Sequence, residues 1–167
     1  MISNKKLLIL FFIWLITNQQ GTAQTNWELK KQASGISVYT SNVNGSEFKA
    51  FKSVTTIAGS SMSELAAPML DVENCKSIFP DTRDCRYVKK YGDGNFIQYQ
   101  ITDLPWPVDD RDGIYEIKSQ YDKAANEVII NVKCIKYDYP KSADAIRMSE
   151  GSGFWKVKEI KKGVFEV

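Results

Sequence analysis

The sequence predicts an α+β domain: one curved antiparallel sheet with a single helical segment in its first half. Two observations carry this. Apolar and polar residues alternate with a period of two in about eight stretches, and turn signals separate most of them. Only one region, beginning at Ser61, combines helical spacing with an N-terminal capping pattern.

In chain order, Trp27 to Lys31 and Gly35-Ile36-Ser37-Val38-Tyr39-Thr40 read as the first two strands. Asn44-Gly45 follows, a pair that tolerates positive φ and suits a tight hairpin. Glu47 to Ile57 gives the third strand. Ser61-Met62-Ser63-Glu64 fits a capping box, in which the Ser hydroxyl and the Glu carboxylate take up N–H groups left over at a helix start. Met62, Leu65, Ala66 and Met69 then share one helical face. Pro68 removes one ladder bond, so a kink or break is expected there. Asp71 is placed to cap a second short turn, Val72 to Ile78, which Phe79-Pro80 stops.

Strands resume with Arg86 to Tyr91 and turn at Gly92-Asp93-Gly94. Asn95 to Asp103 sets Phe96, Gln98, Gln100 and Thr102 against Ile97, Tyr99 and Ile101 on the opposite face. Gly113 to Tyr121, Glu127 to Lys136, Phe154 to Ile160 and the start of one more strand at Val164 complete the series. A polar loop follows Asp138-Tyr139-Pro140.

Composition narrows the function classes. The 22 Lys+Arg against 20 Asp+Glu leave a net charge of +2, which makes no electrostatic case for nucleic acid, whose binding needs a concentrated basic face. The chain has no histidine, which removes the commonest general base and the commonest metal ligand. Lys5 and Lys6, the apolar run Leu7 to Ile16 and the small residues of Gly21-Thr22-Ala23 read as a signal peptide, residues 1–23, ahead of the alternative of an uncleaved membrane anchor. Cleavage before Gln24 leaves one domain, residues 24–167, exported to the periplasm or secreted. Cys75, Cys85 and Cys134 allow a Cys75–Cys85 disulfide in that compartment, but three small buried thiols are the favoured reading. No spacing supports a metal site: an EF-hand frame on Asp109, Asp110 and Asp112 fails at Val108 and Ser119.

Pro105-Trp106-Pro107-Val108-Asp109-Asp110-Arg111-Asp112 is the most specific stretch. Two prolines around a tryptophan make a stiff, extended elbow between two strands. Arg111 offers five donors in a rigid fork and, if buried, must be paired, with Asp110 or Asp112 as the near acids. Trp106 reads as a packed corner aromatic ahead of a ligand platform.

This elbow, with Gly35-Ile36-Ser37-Val38-Tyr39, Phe48-Lys49-Ala50, Leu70-Asp71-Val72-Glu73 and Gly153-Phe154-Trp155, resembles the START (steroidogenic acute regulatory-related lipid transfer) family along the whole mature chain. The resemblance implies a helix-grip fold, START/Bet v 1-like, wrapped around a C-terminal lid helix. No such helix follows the last strand of this sequence. It also implies non-catalytic binding, or transfer, of a lipid or sterol-like molecule in a cavity between sheet and helix, with no cofactor and with transient membrane contact. The family's elbow arginine, here Arg111, pairs with an acid on the preceding strand; the matching position is Gln100, which is neutral. The ligand-binding set is therefore Arg111, Gln100, Trp106, Tyr99, Asp110 and Asp112, with no catalytic or metal residue.

Two rivals stand beside it. Helix-grip folds also host cyclases and hydrolases, which here would rely on carboxylates, Tyr99 or Arg111. A truncated product would expose an apolar sheet face; a complete chain with that face bare is expected to dimerise through it.

Overall fold

The structure, a computed structural model, describes residues 26–167. The signal peptide expected at 1–23 lies outside them. The described residues form two compact units, 26–31 with 38–52, and 32–37 with 53–167.

The smaller unit holds most of β1 (Glu28–Ala33) and β2 (Ile36–Asn42) and the start of β3 (Lys49–Ala58), in the order β1-β2-β3. The hairpin turn falls at Asn44-Gly45, where Gly45 has φ of 77°. Lys52 Nζ stands 4.7 Å from the ring centroid of Trp27 and 5.0 Å from that of Tyr39.

The larger unit carries the rest: α1 (Met62–Leu70), α2 (Cys75–Ile78), β4 (Thr82–Gly92), β5 (Asn95–Thr102), β6 (Asp110–Asp122), β7 (Glu127–Cys134), β8 (Ala145–Arg147), β9 (Ser152–Lys161) and β10 (Val164–Glu166). Its strand order is β3-β10-β9-β7-β6-β5-β4, with β8 parallel beside β6. Helix among the described residues is confined to α1 and α2.

α1 starts as its sequence demands. Ser61 Oγ accepts from Glu64 N at 3.1 Å. The reciprocal bond lands one residue earlier than a standard box: Glu64 Oε2 accepts from Ser60 N at 3.0 Å. Pro68 does not break the helix; α1 ends two residues later, with Asp71 N donating to Pro68 O. The second helix begins at Cys75 rather than Val72. Asp71 turns the chain toward it by accepting from Asn74 N and Nδ2.

Three further readings are corrected. β6 begins at Asp110, so the charge cluster lies inside a strand and its neighbours point to opposite faces. β8 arises within the polar loop, where Ala145 and Arg147 are drawn in beside β6. Cys75 and Cys85 are joined as a disulfide with Cα atoms 6.4 Å apart, tying α2 to β4, and only Cys134 stays free among the described residues.

Alternation then builds two cores. Phe96, Ile117, Ile130, Val157 and Phe165 face Ala66 and Val72 on the helix-covered side. Ile97, Tyr99, Ile101 and Ile114 pack on the other side against Ile135, Tyr139 and Ala145. The 135–147 segment thus covers β5 and β6 on the side away from the helices.

Candidate functional site

The two faces of β5 and β6 carry different chemistry. On the face away from the helices, Asp112 is wholly buried, with no exposed surface. Its Oδ1 accepts from Arg147 Nε at 2.9 Å. Its Oδ2 accepts from Arg147 Nη2 at 2.8 Å, Ser142 N at 2.9 Å and Tyr99 Oη at 3.1 Å. Arg147 also donates to the carbonyls of Tyr139 and Pro140. Burial pushes the Asp112 carboxyl upward, yet the bonds from Arg147, Ser142 and Tyr99 outweigh it and hold the carboxyl below the usual carboxylate range. Burial, and then the bond to Asp112, push the Tyr99 phenol up. Every polar atom of this cluster is satisfied, so the arrangement is a fastener.

Beside it, Asp110 accepts from Leu104 N at 2.9 Å and from Arg83 at 3.0 Å. Arg83 also reaches Asp103 and Asp144. Arg111, by contrast, has no acid among its partners in the described residues. Its Nη1 donates to the carbonyls of Asp109 and Asp110. The buried arginine expected at 111 is therefore Arg147, and the acid it meets is Asp112. Trp106 is not a packed corner: it is 93% exposed.

The helix-covered face contains the space. A hollow of about 260 Å³ lies between the helices and the sheet. Met69, Val72, Ile117 and Val132 give it apolar walls, and the Phe79 and Trp155 rings, 6.3 Å apart between centroids, stand on one side. Its polar lining is Asp71, Gln98, Gln100 and Tyr115. A more open groove of about 620 Å³ runs along α1 past Tyr87, Ser119 and Val128, and Asp71 borders both spaces.

The structure thus divides the expected set. Gln100 lines the hollow. Tyr99, Asp110 and Asp112 belong to hydrogen-bonded networks, Arg111 turns back on its own backbone, and Trp106 stands in solvent. Residues missed by sequence reasoning are Gln98 and Tyr115 in the hollow and Arg147 in the network. Gln98 was findable, since it shares Gln100's face by alternation. Arg147 lies 35 residues from Asp112, and no local pattern joins them.

No family model matches the chain. A Pseudomonas aeruginosa protein, the uncharacterized PA1579, is 32% identical over 143 residues, which span 85% of this chain and 69% of that one. Among solved structures, a STAR-related lipid transfer protein of Xanthomonas axonopodis (fragment 25–204) matches with a TM-score of 0.75 at 23% identity, over 84% of this chain and 78% of that one. Human StAR-related lipid transfer protein 5 gives 0.72 at 10% identity, covering 97% and 77%. Human STARD10 gives 0.72 at 18% identity over 84% of this chain and 57% of its own. At these identities the solved structures speak for the fold.

Proposed function

We propose, for a chain that belongs to the family of PA1579 and is a START-like domain by fold, that it binds a lipid or sterol-like hydrophobic molecule without converting it. The observation that carries this is the hollow on the helix-covered face, apolar on most sides and opening toward a groove at Asp71. A ligand there gains about 25 cal/mol per Å² of apolar surface removed from water, so shape supplies the affinity. The likeness to the Xanthomonas protein, named as a lipid transfer protein, supports the reading.

Of the groups a helix-grip enzyme is expected to use, Tyr99 and Asp112 are bonded elsewhere, which supports the binding reading. Asp112, Arg147 and Tyr99 satisfy one another on the face away from the hollow. Export is part of the proposal, supported by the Cys75–Cys85 link, which suits an oxidising compartment. Transient membrane contact is assigned to the elbow, where Trp106 and Val108 stand in solvent.

The test is native mass spectrometry of the gently purified protein, followed by titration with the neutral probe N-phenyl-1-naphthylamine. One hydrophobic adduct per chain, or one saturable probe site, is expected. Val132→Trp, which fills the hollow, is expected to abolish either. A folded protein that carries no adduct and ignores the probe overturns the proposal.

A further inference from the structure

The polar groups that the sheet gives the hollow, on Gln98, Gln100 and Tyr115, carry no charge and are not all used. Gln98 faces Tyr115 directly across β5 and β6, and Gln100 faces Gly113. A Cβ on Gly113 would lie 2.6 Å from Tyr115 Oη. The bare backbone at 113 is therefore what lets the Tyr115 ring lie along the strand toward Gln100.

The Gln100 amide is spent. Its Nε2 donates to Thr82 Oγ1 at 3.1 Å and Thr102 Oγ1 at 3.3 Å, and its Oε1 accepts from Gln98 Nε2 at 3.1 Å. This fixes the orientation of the Gln98 amide. Gln98 Oε1 and Tyr115 Oη are left with no partner among the described residues, on opposed positions lining one hollow. Burial first, then the Cys134 thiol and the Asp112 carboxylate, push the Tyr115 phenol up, so it keeps its proton and can donate. Among the described residues, the lining contains no cation. Its one charge is the Asp71 carboxylate, already bonded to Asn74.

We infer that Gln98 and Tyr115, positioned by Gln100 and Gly113, determine specificity: the hollow takes a neutral hydrophobe with one hydrogen-bonding oxygen, an alcohol, and rejects an anionic headgroup. The inference rests on the proposed reading of the hollow as a ligand site. The acceptor of Gln98 and the donor of Tyr115 together match a hydroxyl, which both donates and accepts. A carboxylate or phosphate would enter with no counter-charge, beside Asp71.

The test is displacement of N-phenyl-1-naphthylamine from the full chain by cholesterol, by 1-hexadecanol and by palmitate. Cholesterol and hexadecanol separate a rigid from a flexible alcohol; palmitate matches hexadecanol in length and carries the charge. At least one alcohol is expected to displace the probe about tenfold better than palmitate. The quantity followed in variants is the alcohol-to-palmitate ratio, so a loss of affinity common to both drops out. Gln98→Leu and Tyr115→Phe are each expected to cut that ratio roughly five- to tenfold. Gln98→Glu, which keeps an acceptor, is expected to retain or raise it. If Gln98→Leu does not fold, Tyr115→Phe, which removes one oxygen, decides. Palmitate displacing as well as the better alcohol, no displacement by either alcohol, or ratios unchanged in Tyr115→Phe overturns the inference. If the probe itself finds no site, the proposed function falls first, and that result is distinct from binding without discrimination.

Discussion

Asp112 gives up all contact with water, and four donor atoms stand in for it: Tyr99 Oη, Ser142 N, and Nε and Nη2 of Arg147. Removing one side of such a pair strands the other. Asp112→Asn is expected to cost about 3–5 kcal/mol in urea unfolding, because Arg147 keeps its charge and loses its counter-ion. Replacing both, as in Asp112→Asn with Arg147→Met, is expected to cost less than the sum of the single changes. The pH dependence has a definite sign. A carboxyl held lower in the folded than in the unfolded chain stabilises fully above its unfolded value, about 3.9. That stability is lost as pH falls from there through the lower folded value. Wild type and Asp112→Asn should therefore differ widely in stability at pH 6 and converge toward pH 2. A difference that stays constant across this range would remove the carboxylate from the explanation.

Among the elements, those with local chemistry were legible in the sequence. Ser61 and Glu64 mark the start of α1, and alternation from Phe96 to Thr102 sorted the side chains of β5 into two opposed sets, without telling which set faces the helices. Ser61→Ala is expected to cost about 1 kcal/mol, a cap's ordinary worth. At Gly94, φ is 70° and an added Cβ would meet Ser119 Cβ at 2.7 Å, so Gly94→Ala should destabilise more than the cap change does, read in the same unfolding assay. What was not legible depended on distant partners. β8 is three residues long and exists because Arg147 reaches Asp112. The sequence favours buried free thiols at Cys75 and Cys85, and the structure overturns that; what brings them together is the turn at Phe79, where Thr82 N donates to Phe79 O at 2.9 Å. Thiol titration in denaturant should count one reactive cysteine before reduction and three after. Closing a loop this short is worth about 2–3 kcal/mol, so dithiothreitol should lower the unfolding midpoint accordingly. Three reactive thiols before reduction would refute the link.

At the scale of the whole molecule, the site was only half legible. The elbow drew attention to Arg111 and Trp106 because prolines and charges stand out in a sequence. A binding hollow is made of ordinary residues, and Gln98, Tyr115, Val132 and Trp155 carry no mark until the four strands β5, β6, β7 and β9 are side by side. The elbow's own chemistry still needs a use. Trp106 is 93% exposed and Val108 about half exposed, on a segment braced by Leu104 N bonded to Asp110. An indole held out rigidly meets a bilayer interface at little entropic cost, since the backbone behind it is already fixed. No helix among the described residues is long and apolar enough to cross a membrane, so on this proposal the contact is a touch at the surface. Trp106→Ala should therefore lower co-sedimentation with phosphatidylcholine vesicles several-fold. It should leave probe affinity in solution unchanged, because Trp106 does not border the hollow. Equal sedimentation of wild type and variant would assign the exposed indole no part in membrane contact, while leaving the hollow and its ligand untouched.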